Sequence, residues 1–136
     1  MKIYNPIFVI IFCVITSISF AQKMSPEEVV QENLDFYNQR NIEGFMASFS
    51  ENIKVYELGS AKPSATGLLK VEKIYTELFK NSPKLHSTIL KRIVMGNRVI
   101  DHESITGRNG NFEVLELVLI YEVENEKIIK ITVIRK

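Results

Sequence analysis

From Leu85 onward the apolar residues of this chain alternate with a period of two, and that pattern constrains the fold more than any other feature. Before residue 80 they recur mainly at helical intervals, apart from a short alternating stretch at 53–58. Turn signals divide the part from Leu85 onward at Gly96-Asn97, Asn109-Gly110 and Asn125-Glu126. The pattern predicts four long antiparallel strands joined by tight hairpins, at approximately 85–95, 98–107, 111–123 and 127–135.

The part before residue 80 carries the start signals of helices. Ser25, Pro26 and Glu28 form a capping box with proline at the first helical position, and Asn41 can cap a short second helix. A strand, a loop and a third helix are predicted at 53–58, 59–67 and 68–80. We therefore expect an α+β domain in which three helices cover one face of a curved sheet.

The N-terminal residues have the composition of a signal peptide. Lys2 precedes an almost wholly apolar run at 7–15, and small residues stand at positions 19 and 21. An uncleaved membrane anchor is the alternative, but the run is shorter than the roughly 20 residues that a spanning helix needs. A lipoprotein is excluded because the bulky Phe12 precedes Cys13, in the middle of the run. We expect cleavage after Ala21 and export of a single domain, residues 22–136, to the periplasm or the medium.

Removing the predicted signal changes the composition in a way that excludes several classes of protein. The 136 residues become 115, with 16 basic and 16 acidic side chains and no cysteine. Disulfides and thiol catalysis are thereby excluded from the mature chain. The balanced charge argues against nucleic acid as a partner. No glycine-rich phosphate loop and no nucleophile elbow is present in the sequence.

Two-residue hairpins would fix which side chains share a face of the sheet, with Met95 opposite Arg98, Arg108 opposite Asn111, and Glu124 opposite Lys127. The first predicted face carries His86, Thr88, Leu90, Arg92, Val94, Val99, Asp101, Glu103, Ile105, Val114, Glu116, Val118, Ile120, Ile131 and Val133. The second carries Ile89, Lys91, Ile93, Ile100, His102, Ser104, Leu115, Leu117, Leu119, Tyr121, Thr132 and Ile134. Because neither face is polar enough to be fully solvated, we expect the outer one to bind a second copy of the chain.

The first face would bring together Arg92, Asp101, Glu103 and Glu116 among aliphatic residues. Two carboxylates in a poorly solvated site raise the pKa of at least one, which suits an acid or base near neutral pH. The alternative is structural: Arg92 and Asp101 form a cross-strand salt bridge, and both glutamates lie at a solvated edge.

The remaining candidates are histidines and tyrosines. The predicted registers place His86 and His102 on opposite faces, which argues against a shared metal site. His86 is expected at the rim of a pocket and His102 in a subunit contact. Tyr37 and Tyr56 are the aromatic residues expected to reach a ligand through their hydroxyl groups.

Several strings of this sequence, with the order of its elements, carry a resemblance to a known family. They lie at 36–38, 41–45, 49–57, 85–86, 92–97, 99–103, 121–123 and 127–128. Residues 25–135 resemble the SnoaL-like and ketosteroid-isomerase-like branch of the nuclear transport factor 2-like superfamily. The resemblance implies a cone of three helices against a curved sheet, with a pocket inside.

The resemblance also implies roles for particular positions. The isomerases place a general-base carboxylate at the end of the first strand, where this chain has Glu57. They place an oxyanion-hole tyrosine on the first helix and an acid on the third long strand, where this chain has Asn33 and Val118. The absence of both donors argues against steroid isomerisation, since such donors usually supply the largest electrostatic contribution.

Together these observations predict an exported protein that binds a small, largely apolar ligand carrying one polar group, without a cofactor or a metal. Glu57, Arg92, Asp101 and Glu103 are the candidate catalytic residues. Candidate ligand-binding residues are Tyr37, Tyr56, His86, Glu116 and Val118. If the protein is an enzyme, we expect isomerase or hydratase chemistry by proton transfer, with Glu57 as base and Arg92 as electrostatic stabiliser. The alternative is a non-catalytic module for dimerisation or protein interaction.

Overall fold

The structure is a computed structural model that describes Met1 and residues 21–136. The predicted signal segment lies outside the described residues except at its two ends, so its cleavage stays a prediction. In the part of the chain that is described, no helix is both long enough and apolar enough to cross a membrane.

The three predicted helices are confirmed, and the capping chemistry explains where they begin. Helix α1 spans Pro26–Gln39, α2 spans Ile42–Ala47, and α3 spans Leu68–Lys80. At the start of α1, the Glu28 amide donates to the Ser25 hydroxyl at 3.2 Å and the Ser25 amide donates to the Glu28 carboxylate at 2.7 Å. The Asn41 side chain accepts the Gly44 amide in the same way and begins α2.

The described strands form one six-stranded mixed sheet. They are β1 Phe49–Glu57, β2 Ala65–Thr66, β3 His86–Met95, β4 Arg98–Thr106, β5 Leu115–Glu124 and β6 Lys127–Arg135. The order across the sheet is β2-β1-β6-β5-β4-β3, and all neighbours are antiparallel except β1 and β6. The helices pack on the inner face of the sheet. The predicted α+β class, with helices on a curved sheet, is confirmed.

The register between β4 and β5 differs by one residue from the predicted one. Glu103 lies opposite Leu117, not Glu116. The chain between these strands is not a two-residue turn: it runs from residue 107 to 114 and contains a single 3₁₀ turn, Arg108–Gly110. A one-residue shift turns over every side chain of a strand. The inner face therefore carries Leu115, Leu117, Leu119 and Tyr121, and the outer face carries Glu116, Val118 and Ile120.

Two β-bulges also change which side chains point to the inner face of the sheet. The hairpin of β3 and β4 has the predicted register from Met95 to Arg92, but the bulge between Ile89 and Lys91 reverses the start of β3. His86 consequently points to the outer side, and Ser87 is buried. A second bulge, between Glu122 and Val123, shifts the register between β5 and β6 by one residue. This shift compensates for the difference between the observed and predicted registers of β4 and β5. Ile131 and Val133 therefore do lie on the inner face, as predicted.

An aromatic cluster fills the interior between the helices and the sheet. Its ring centroids lie 4.5–6.3 Å apart, mostly in tilted or edge-to-face arrangements. The members are Tyr37, Phe45, Phe49, Tyr75 and Phe79. Aromatic pairs of this geometry contribute about 0.5–1.5 kcal/mol beyond the area that they bury. Three of these residues, Tyr37, Phe45 and Tyr75, also line the cavity described next.

Candidate ligand cavity

A cavity of about 160 Å³ lies between the helices and the inner face of the sheet. Its walls are mainly aliphatic and aromatic, and they come from all three helices and from β1, β4, β5 and β6. The polar side chains that line it are Asn33, Tyr37, Glu57, Ser64, Tyr75, Glu103, Arg108, Tyr121 and Arg135. An apolar cavity of about 150 Å³ can hold one six-membered ring, so this one has room for a compact ligand.

Glu103 is the buried carboxyl group of the cavity. It points inward from β4 and is 3% exposed. The Ser87 hydroxyl donates to one of its oxygens at 2.6 Å, and the Tyr121 hydroxyl donates to the other at 3.4 Å. Burial raises the pKa of Glu103 to about 7, and the charge of Asp101 adds to this rise against the opposing hydrogen bonds. Glu103 can therefore both give and accept a proton near neutral pH.

Asp101 and Arg92 form a cross-strand salt bridge. This bridge was predicted as the structural alternative to a catalytic role. Asp101 is fully buried, and both of its oxygens accept bonds from the Arg92 guanidinium at 2.7 Å. A third donor of Arg92 bonds to the Gln31 side chain at 2.8 Å. Arg92, Asp101 and Glu103 face inward together, as predicted, but of the three only Glu103 lines the cavity. The geometry favours a structural role for the pair, and their predicted catalytic roles stay predictions.

Glu57 and Tyr37 both line the cavity, in different environments. Glu57 ends β1 with its side chain 43% exposed, and Arg135 donates to it at 3.2–3.3 Å. Tyr37 is buried, and burial is the main cause that raises its pKa above the usual value. Its hydroxyl therefore stays protonated and can donate to a ligand. Glu57 belongs to the mouth of the cavity, whereas Tyr37 belongs to its interior.

Four predicted ligand-binding residues do not line the cavity. Tyr56 faces the outer side of β1, with the Lys130 ammonium 5.4 Å from the centre of its ring. His86, Glu116 and Val118 also lie on the outer side, because of the bulge in β3 and the register of β5. The predicted pairing of Glu103 with Glu116 is therefore wrong.

His102 lies on the outer face, as predicted, and its ring contacts Glu116 at 2.6 Å. The premise that the two histidines occupy opposite faces is wrong, since the bulge places His86 on the outer face too. Among Met1 and residues 21–136, no group of three His, Cys, Asp or Glu side chains is arranged to hold a metal ion.

The sequence reasoning missed Tyr121 and Arg108 as cavity residues, and it gave no role to Asn33. Tyr121 alternates with Leu117 and Leu119, so the correct register of β5 would have found it. Asn33 is buried and donates to the Phe45 carbonyl at 3.1 Å. That bond links α1 to α2. It occupies the side-chain amide of the residue that stands where the isomerases have their oxyanion-hole tyrosine.

Comparison with known proteins places this geometry in a family. The profile of the SnoaL-like domain matches residues 30–131. No curated protein sequence matches the chain. An uncharacterised cystatin-fold protein from Novosphingobium aromaticivorans superposes with a TM-score of 0.75 at 19% identity, over 82% of this chain and 99% of that one.

Two further solved structures share the fold at low identity. A candidate ketosteroid isomerase from Kribbella flavida gives a TM-score of 0.70 at 17% identity, over 82% of this chain and 77% of that one. TerC, co-crystallised with polyporic acid, gives 0.68 at 13% identity, over 82% and 91% of the two chains. Structural likeness at such identities shows the fold alone, which is that of nuclear transport factor 2-like proteins, and the matched profile establishes the family. The chain belongs to the SnoaL-like domain family.

Proposed function

We propose that this protein binds a small, largely apolar molecule in the cavity and moves a proton on it with Glu103, without a cofactor. The observation that carries the proposal is a carboxyl group that is 3% exposed, lines an aromatic cavity and has a pKa raised to about 7. Residues that must carry protons in catalysis have pKa values near the working pH, and they cluster in pockets of this kind. The TerC structure supports the proposal of a ligand, because that neighbour was co-crystallised with polyporic acid.

The residues around Glu103 suit an isomerisation or a dehydration next to a carbonyl group. In an isomerisation, ionised Glu103 would take a proton from the carbon beside the carbonyl and return it to the γ carbon as the double bond moves. In a dehydration, it would pass that proton to the β-hydroxyl group, which leaves as water. Tyr37 keeps its hydroxyl proton, since burial raises its pKa. That hydroxyl can donate to the ligand oxygen and stabilise the negative charge that develops there. The Tyr121 hydroxyl already donates to Glu103. Glu57 at the mouth, paired with Arg135, would then orient the ligand and not act as the base.

Deuterium exchange tests the proposal with simple probes. Cyclohexanone and 2-cyclohexenone in D₂O should exchange the hydrogens beside the carbonyl faster with the protein than without it, as followed by proton NMR. Glu103→Gln should lower the catalysed rate by roughly 100-fold or more, because a positioned acid or base contributes that much. Glu57→Gln is the matched control, and it should change the rate less than tenfold.

If Glu57→Gln lowered the exchange rate more than Glu103→Gln did, Glu57 and not Glu103 would be the base. Absence of both exchange and binding across a panel of cyclic ketones would contradict the proposed function. In that case the alternative of a non-catalytic module would be favoured.

The outer face of the sheet supports the proposal of a homodimer. Its centre is aliphatic, with Ile100, Val118, Ile120 and Ile134. Charged groups flank it, including Glu122, which pairs with Arg98 at 2.9 Å and Lys130 at 3.2 Å. A surface with an apolar centre and a charged rim is typical of a subunit contact. Sedimentation should give a dimer that Ile120→Lys converts to a monomer; a wild-type monomer would leave this face for a different protein.

We also propose that the protein is exported after cleavage behind Ala21, on the signal-peptide pattern alone. The full chain, expressed in a Gram-negative host, should appear in the periplasm or the medium without residues 1–21, as measured by intact mass. A full-length product that stays in the cytoplasm would contradict this.

A further inference from the structure

The connection between β4 and β5 has a fixed shape that the sequence explains. Gly107 has φ +71°, and a β-carbon there would overlap the Lys84 carbonyl, so glycine is required. The Asn109 amide donates to the fully buried Ser82 hydroxyl at 2.8 Å. The Asn111 amide donates to the Arg108 carbonyl at 2.9 Å and closes the 3₁₀ turn. The turn holds Arg108 where its side chain lines the cavity.

Arg108 brings a positive charge to the cavity wall. Burial raises the pKa of Tyr37 and of Tyr75, and the positive charge of Arg108 opposes that rise in both; a side-chain hydrogen bond from Arg108 also lowers the pKa of Tyr37. Within residues 21–136, Arg108 forms no ion pair within 4 Å. The other arginine of the lining, Arg135, is by contrast paired with Glu57.

The charges of the lining balance only while Glu103 is ionised. Glu57 and Arg135 cancel each other at the mouth, which leaves Glu103 and Arg108 as the remaining charged groups of the lining. When Glu103 is protonated, the lining carries one net positive charge. A half-buried guanidinium without a carboxylate partner, in a mainly apolar site, is suited to bind an anion from outside the protein.

We propose that Arg108 binds a carboxylate of the ligand, so that the ligand class is a single-ring carboxylic acid whose second polar substituent reaches Glu103. This inference rests on the proposed function and narrows the chemical class of its ligand. The planar guanidinium matches a carboxylate in a bidentate arrangement. The cavity volume of about 160 Å³ limits the ring system to one small ring. The aromatic walls favour a flat or alicyclic body between the two polar ends.

Matched acids and amides test the inference. The probes are benzoate, 4-hydroxybenzoate and cyclohexanecarboxylate, each beside its primary amide, which has nearly the same shape but no charge. Binding to the full mature chain is measured at pH 6 by NMR chemical-shift changes, where the acids are ionised and Glu103 is mainly protonated. We expect each acid that binds to do so at least tenfold more tightly than its amide.

The variant Arg108→Gln should remove that preference by weakening the acids roughly 10- to 100-fold and leaving the amides unchanged. Arg98→Gln is the matched control: it removes the same charge from an exposed hairpin position outside the cavity, and the preference should remain. Equal binding of acids and amides by the wild type would overturn the inference and leave the proposed cavity function intact. Binding of neither set would also overturn the inference, and the proposed function would then be judged by the cyclic ketones alone; this result needs no variant to fold.

Discussion

Replacing Arg92 with methionine is expected to lower the free energy of unfolding by about 3–5 kcal/mol at pH 7. The reason is Asp101, which is fully buried and has both oxygens bonded to the Arg92 guanidinium at 2.7 Å. Without Arg92, a carboxylate would remain in the interior with no compensating charge. Urea unfolding followed by circular dichroism measures the change.

Two further variants separate the charge effect from packing. Arg98→Met breaks an ion pair of the same type whose arginine side chain is 55% exposed, and it should cost no more than about 1 kcal/mol. The double variant Arg92→Met, Asp101→Leu removes both buried charges and should be more stable than Arg92→Met alone. A loss below 1 kcal/mol for Arg92→Met would show that the pair contributes little to the fold and would return Arg92 to the list of catalytic candidates.

Replacing Glu103 with glutamine is expected to change how stability depends on pH. The pKa of Glu103 rises from 4.5 to about 7 on folding, so the folded state holds its proton over a range in which the unfolded state has lost it. The wild type should therefore lose stability as the pH rises from about 4.5 to 7, by up to about 3 kcal/mol, and change little above that range. Glutamine does not titrate. The free energy of unfolding of the variant, relative to that of the wild type, should therefore rise by that amount over the same pH range.

The measurement is a series of urea unfolding curves for both proteins between pH 4 and pH 8. Glu116→Gln is the matched control on the outer face, where the bond to His102 lowers the pKa of Glu116. The pH-dependent change in the free energy of unfolding of Glu116→Gln, relative to the wild type, should be small and opposite in sign to that of Glu103→Gln. A constant difference between Glu103→Gln and the wild type over this range would mean that Glu103 titrates as an ordinary glutamate.

The elements could be predicted from the sequence because local signals agree with the fold. Capping residues set the helix starts, and Gly96-Asn97 fixes the β3–β4 hairpin, which was enough to pair Arg92 with Asp101. The register of β5 could not be predicted, because both of its faces are apolar. Leu117 and Leu119 on one side and Val118 and Ile120 on the other give hydrophobicity no means of choosing between them.

The partners of the cavity acid were missed for the same physical reason. Ser87 reaches Glu103 only because a bulge reverses the start of β3, and Tyr121 reaches it only in the true register of β5. Arg108 was missed because Asn109-Gly110 suggested a two-residue turn. Positive φ values at Gly107, Asn109 and Gly110 instead produce a longer connection.

The function proposed for the cavity depends on a carboxyl group, that of Glu103, titrating near neutral pH. Carbon-13 NMR of the glutamate side-chain carboxyl groups, followed from pH 3 to pH 9, tests it most directly, with the Glu103→Gln variant identifying the resonance. We expect a pKa of about 7 for Glu103. A Glu103 resonance that titrates near 4.5, the value of an unperturbed glutamate, would contradict it.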